Sequence, residues 1–300
     1  MATTYSVHPD RARLIVCCDG TGNSEYLPEP GNPRTNVSRI SRSITPRLAT
    51  GHGRQVVLYM SGIGTAPGGL LSTPQNLLKG TFGMGFDDKV KEGYSFLCHN
   101  YNEQTGDEII LIGFSRGAFA VRCIAELIAS IGLLQKTDLP ELSRVYPLWK
   151  KGEDFRIQAR SRHARVKVCA LWDTVASLGF PRFSRSPFSS PESGPLAPDS
   201  RPCHIVDTFF QALSLHEHRC PFQSIVWEPQ SYGSCQLEQC WFMGNHCDIG
   251  GGEEKEALAH FALAWMITKL RRYVDFDMKR LCWAQMSSTS WRVEGKYIIL

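Results

Sequence analysis

No run of about 18 apolar residues occurs in this 300-residue chain, so no membrane-spanning helix is expected. Met1 to Asp10 lacks the positive region followed by an apolar run that marks a secretory leader. Charge of one sign is missing too. The 33 basic and 29 acidic residues leave a net charge of +4, and no segment gathers Lys and Arg into a stripe. A nucleic-acid partner is therefore not expected. The basic run Arg156 to Lys167 is mixed with small residues and reads as a solvated connection. There are 11 cysteines but no C-x-x-C pair. Cys235, Cys240, His246 and Cys247 cluster, but with C-x4-C spacing across an apolar run, unlike the paired spacing of zinc sites. No metal and no cofactor are expected. Reduced thiols in a cytoplasmic protein are the simplest reading, with Cys17, Cys18, Cys98, Cys123 and Cys169 as small buried hydrophobes.

What remains is an ordinary globular composition, 42% hydrophobic and 21% charged, with no internal repeat. Apolar runs bounded by turn residues alternate with helical periodicity. Arg13 to Cys18, Gln55 to Met60, Asp107 to Phe114, Val166 to Trp172 and Gln239 to Met243 read as buried strands. Asn36 onward, Phe86 to Asn100, Arg116 to Ile131, Cys203 to His218 and Glu254 to Tyr273 read as helices. This alternation predicts an α/β fold, one domain over residues 1–300 with a mostly parallel sheet covered on both faces. Residues 65–85 are Gly-rich and read as a loop. Phe180 to Cys203, with six prolines and six serines, reads as a lid- or cap-like insertion.

Three segments carry chemistry. Gly113-Phe114-Ser115-Arg116-Gly117 is a G-x-S-x-G, weak alone but here preceded by a strand and followed by a helix. That context lets a serine sit in a strained turn with its Oγ above the sheet edge, the two glycines removing side chains that would collide. A serine needs a base. His246 follows a strand and precedes Gly250-Gly251-Gly252. His216 and His218 read as residues of a helix end. The base needs an acid to fix its tautomer. Asp173 ends an apolar strand, where a carboxylate demands partners, and Thr174 and Ser177 offer some. Asp248 is the rival, more naturally bonded to N–H groups of the glycines after it. Read in chain order, Ser115, Asp173 and His246 give the triad order of α/β-hydrolases.

One oxyanion donor in such a site is the N–H after the nucleophile, Arg116. The loop Asp19-Gly20-Thr21-Gly22 offers the second through Gly20 or Thr21. Asp19 followed by Gly-Thr also opens haloacid-dehalogenase phosphatases, but these carry Asp-x-Asp and position 17 is Cys. A carboxylate ordering its own turn is the plainer role.

Taken as an ordered set, these motifs resemble the α/β-hydrolases of uncharacterised domain family 2235, the catalytic domain of class-one type VI secretion phospholipase effectors. The matching segments are Cys18 to Asn23, Thr35-Asn36-Val37, Tyr59 to Thr65, Asp107 to Ala118, Trp172 to Val175 and His246 to Gly252. The resemblance implies an acyl hydrolase with Ser115 as nucleophile, Asp173 as acid and His246 as base. The expected function is cleavage of a carboxylic ester, lipid-like or small, through an acyl-enzyme. Peripheral membrane contact stays open. An amidase, thioesterase or acyltransferase with the same triad is one alternative; a binding module on the hydrolase fold is the other.

Overall fold

The computed structural model describes residues 10–21, 23, 34–62, 85–157, 159–175, 201–219, 224–227, 235–281, 292–294 and 297–299. The expected insertion at 180–203 lies almost wholly outside these, as do nearly all of residues 65–85.

Six strands form one parallel sheet: β1 (Ala12–Cys18), β2 (Arg54–Met60), β3 (Glu108–Phe114), β6 (Val166–Trp172), β7 (Val206–Ser214) and β8 (Gln236–Phe242), in the order β2-β1-β3-β6-β7-β8. Between β3 and β6 lies a small antiparallel pair, β4 (Leu133–Leu134) with β5 (Ser161–Arg162). Near the C-terminus β9 (Arg292–Glu294) pairs with β10 (Tyr297–Ile299). The helices are α1 (Asn36–Ser43), α2 (Phe86–Asn100), α3 (Arg116–Ile131), α4 (Glu141–Lys151), α5 (His246–Gly250) and α6 (Ala257–Leu270).

The strands are runs of aliphatic residues because both faces of the sheet are covered. One apolar layer packs under α2, α3 and α4 and includes Leu14, Val16, Tyr94, Leu111, Ile124, Trp149 and Phe209. The other packs under α1, α5 and α6 and includes Ile15, Ile40, Ile112, Trp172, Phe210 and Met266. Alternate residues of each strand thus serve opposite layers, as the pleat requires. The fold is that of an α/β-hydrolase. β1 pairs with β2 on one side and β3 on the other, so the winding reverses between β1 and β3. A crevice opens at the carboxyl ends of strands at such a switch point.

The fold differs from the sequence reading in three places. Cys203 to His218 is no helix: Val206–Ser214 is a strand buried along nearly its whole length. Phe209 meets Trp227 in one layer while Phe210 meets Trp265 in the other, which only a strand permits. An apolar run buried on both faces has no period that separates strand from helix. Accordingly His216 and His218 follow a strand end. Second, α4 was not expected, because Pro147 sits inside it and breaks the usual helical signature. Gly152 closes it in the left-handed region at φ 70°. Third, the basic run is only partly solvated. Arg162 donates to the carbonyls of Tyr101, Cys98 and Leu134, tying α2 to β4.

Nine cysteines are free among the described residues, and seven of them are buried. Burial pushes the Cys98 and Cys240 thiols up to about 11 and those of Cys18 and Cys203 up to about 12; Cys123 and Cys169 are raised by the same cause. The thiolate is the reactive form, so raised values mean little reactivity at pH 8. We expect a chromogenic disulfide reagent at pH 8 to leave Cys18, Cys98, Cys123 and Cys169 unmodified in the native protein for many minutes, and to modify them promptly after denaturation. Fast native labelling at these positions would contradict the burial described.

Candidate active site

The carboxyl ends of four strands converge on one point. Ser115 follows β3, Asp173 follows β6, Ser214 ends β7, and His246 follows β8. Ser115 holds φ 58° and ψ −125°, and Asp173 holds φ 44°. They are the only non-glycine residues with positive φ among those described. Such strain persists where surrounding contacts over-determine it, and it gathers at functional sites.

The turn at Ser115 is held from both sides. Its N–H donates to the Trp172 carbonyl at 3.0 Å, and its own carbonyl accepts from Phe119 N–H at 3.2 Å and Val175 N–H at 3.3 Å. The two motif glycines are steric requirements. A Cβ on Gly113 would lie 2.5 Å from Ala118 Cα, inside the turn; one on Gly117 would lie 2.2 Å from the Cys18 carbonyl oxygen. Gly117 thus clears the end of β1, so α3 and the Asp19 loop sit against each other.

His246 is the first residue of α5. Asn245 caps that helix, accepting from Cys247 and Asp248 N–H groups, while the Asp248 carboxylate accepts from Asn245 N–H at 2.8 Å. Asp248 therefore does bond backbone, but at the start of the helix and not at the glycines that follow. The imidazole lies over Phe114 with ring centroids 4.7 Å apart. Its Nδ1 is 2.6 Å from Asp173 Oδ2, and its Nε2 is 2.7 Å from Ser115 Oγ. A carboxylate only accepts, so Nδ1 carries the proton, and Nε2 of the neutral ring accepts from the serine hydroxyl. Ser115 and His246 are 5% and 4% exposed, and Asp173 is 0% exposed.

A fully buried carboxylate must be satisfied by hydrogen bonds. Asp173 Oδ1 accepts from Ser214 N–H at 2.8 Å and from Ser224 Oγ, and Ser214 Oγ donates across both oxygens at 3.0 and 2.9 Å. No motif marks Ser214 or Ser224; recognising β7 as a strand adjoining β6 is the signal that would have found Ser214. Of the two residues expected to help, only Thr174 is among those described. Thr174 Oγ1 is buried with no partner, and Ser177 lies outside the described residues.

The Asp19 loop packs beside the serine turn. Asp19 is 2% exposed and accepts from Gly20 N–H at 2.7 Å, Thr35 Oγ1 at 2.7 Å and Tyr59 Oη at 2.6 Å. These three bonds tie its own turn to α1 and β2. Gly20, offered as an oxyanion donor, already gives its N–H to that carboxylate, which leaves Thr21 as the stronger candidate of the pair. Arg116 begins α3, where N–H groups point out of the helix end. Burial lowers its guanidinium to about 10, still charged near neutrality. Thr35 and Asn36 connect this loop to the histidine: Thr35 bonds Asp19, and Asn36 Nδ2 donates to the Ile249 and Ala259 carbonyls, both at 2.9 Å. Among the described residues no group of three His, Cys, Asp or Glu side chains could hold a metal ion.

Residues 12–269 match the family described as T6SS, phospholipase effector Tle1-like, catalytic domain. A curated relative, the uncharacterised protein YEL023C of Saccharomyces cerevisiae, is 28% identical over 247 residues, covering 73% of this chain and 33% of its own. A solved structure of an uncharacterised Pseudomonas aeruginosa protein shares the fold at TM-score 0.51 and 18% identity, covering 87% of this chain and 46% of that one. The structure of the Tle1 effector bound to the VgrG spike of the type VI secretion system matches at TM-score 0.46 and 20% identity, over 83% of this chain and 53% of that one. The chain thus spans a third to about half the length of these relatives.

The two acids make opposite predictions. Asp173→Asn would present an amide N–H to Nδ1 and reverse the tautomer. It is expected to slow acylation of Ser115 by roughly three to four orders of magnitude in a folded protein. Asp248→Asn is expected to cost about 1 kcal/mol of stability through the weakened cap and to change acylation only a few-fold. Circular dichroism melts and stopped-flow acylation rates check both; the reverse pattern would make Asp248 the acid.

Proposed function

This chain belongs to the family of Tle1-like phospholipase effector catalytic domains, and from that premise we propose that it is a serine hydrolase of carboxylic esters, lipid-like or small. The observation that carries the reading is the unbroken line Ser115 Oγ, His246 Nε2, His246 Nδ1, Asp173 Oδ2, with contacts of 2.7 and 2.6 Å.

His246 Nε2 takes the Ser115 proton as Oγ attacks the ester carbonyl. The imidazolium so formed is stabilised by Asp173, which keeps its charge. The oxyanion is held by the N–H groups of Arg116 and Thr21, each such donor contributing about 3 kcal/mol of transition-state stabilisation. His246 then protonates the leaving alcohol. A water activated by the same Nε2 attacks the acyl-enzyme and releases the acid, restoring Ser115. No step draws on a cofactor. The family's phospholipase description favours a lipid ester over a soluble one. Among the described residues no helix is long and apolar enough to cross a membrane; the lipid access proposed is peripheral. The free thiols support a cytoplasmic setting. One parallel sheet carrying all three residues supports a single domain across the chain.

Matched acyl substrates test the reaction class. With p-nitrophenyl esters, the corresponding anilides and thioesters, we expect turnover of the esters at least tenfold above the others, lost in Ser115→Ala. Preference for the anilide or thioester would move the assignment to an amidase or thioesterase. A folded wild type inactive on all three would favour a binding module.

A further inference from the structure

After Ser214 the chain does not leave the site. Leu215 N–H donates to the Phe242 carbonyl at 2.9 Å and His216 N–H to the Gly244 carbonyl at 3.0 Å, while Gly244 N–H donates back to His216 Nδ1 at 3.1 Å. The segment thus continues along the turn that leads to His246. Glu217 comes next. Its side chain is only 3% exposed, and its Oε2 accepts the backbone N–H of His246 at 3.3 Å. Arg219 grips the same carboxylate with Nε at 2.9 Å, Nη2 at 2.7 Å and its own N–H at 2.8 Å.

This arrangement is costly as a stability device. A buried carboxylate carries a desolvation penalty that an apolar side chain would avoid, and its partner Arg219 is more than half exposed, where an ion pair contributes little to stability. Burial by itself would push the Glu217 carboxyl up. The Arg219 guanidinium, with the N–H groups of Arg219 and His246, instead holds it down to about 2, so the acceptor is ionised near neutrality. What the pair secures is geometric. The Glu217 contact lies on the main chain of the residue whose ring bridges Ser115 and Asp173, three positions from the serine that orients Asp173.

We propose that Ser214–Arg219 is a strap that sets the distance between acid and base, Ser214 holding Asp173 and the Glu217–Arg219 pair holding the His246 main chain. Glu217 is then a positioning residue, acting on the reaction through His246. The proposal rests on the triad reading above. A displacement of the base by about an ångström is enough to cost on the order of 100-fold in rate.

Three variants test this: Glu217→Ala, Glu217→Gln and Arg219→Ala. The readouts are melting temperature, kcat and KM on p-nitrophenyl butyrate, and the far-downfield proton resonance of the His246 Nδ1–H bonded to Asp173. Glu217→Ala is expected to lower kcat about 10- to 100-fold with KM nearly unchanged, and to move that resonance upfield or broaden it away. Glu217→Gln keeps an acceptor for the His246 N–H and should retain most of the activity and the resonance. Arg219→Ala, which leaves the carboxylate without its main tether, should fall between them and serves if Glu217→Ala does not fold. A lower melting temperature with wild-type kcat and an unmoved resonance in Glu217→Ala, or in Arg219→Ala if only that folds, would overturn the strap. The resonance also separates the two readings. A wild type that shows it but hydrolyses no ester loses the enzymatic assignment, while its response to Glu217→Ala still judges the strap.

Discussion

Asp173 places its carboxyl group where there is no solvent at all, 0% exposed at the end of a central strand. An isolated carboxylate there would cost several kcal/mol or take up a proton. The surrounding structure supplies it with hydrogen-bond donors. β7 lies beside β6, so that Ser214 delivers a backbone N–H and a hydroxyl to it. Ser224 approaches from the segment beyond β7, and the His246 ring closes the remaining side. The positive φ of Asp173 is the backbone's share in aiming the carboxylate at these donors. With the acid fixed, the tautomer of His246 follows, and with it the acceptor that faces Ser115.

The second constraint is topological. Winding reverses between β1 and β3, and the two loops leaving those strands meet there. One holds Ser115 and the other Asp19. The contact is close enough that Gly117 admits no side chain against the Cys18 and Asp19 carbonyls. Asp19 orders its loop through Gly20, Thr35 and Tyr59, and Asn36 carries the connection on to α5. Loop, serine turn and histidine helix are therefore braced as one unit on a rigid sheet, the condition for keeping a reactive geometry within a fraction of an ångström.

The legible and illegible parts of this site divide along a physical line. Ser115 could be read because the pattern switches from strand to helix at that residue, and Asp173 because it ends an apolar run with a charge. α3 spans the residues its periodicity predicted. β7 could not be told from a helix, since Phe209 and Phe210 serve two layers at once. With β7 missed, Ser214 and Glu217 could not be placed, because their partners come from β6 and the β8–α5 turn. Such contacts depend on strand order, which local patterning does not encode. Pro147 hid α4 for the opposite reason: a local rule was broken where packing of Leu142, Val145, Tyr146 and Trp149 compensates. Gly20 looked equivalent to Thr21 as a donor until Asp19 was seen to occupy it.

If the Asp173–His246 pair activates Ser115, that serine is the reactive one among 300 residues. A fluorophosphonate probe followed by proteolysis and peptide mass mapping tests it most directly. A single adduct on Ser115 is expected, formed in the wild type and lost in His246→Ala. An adduct on another residue, or a well-folded wild type that does not label, would contradict it.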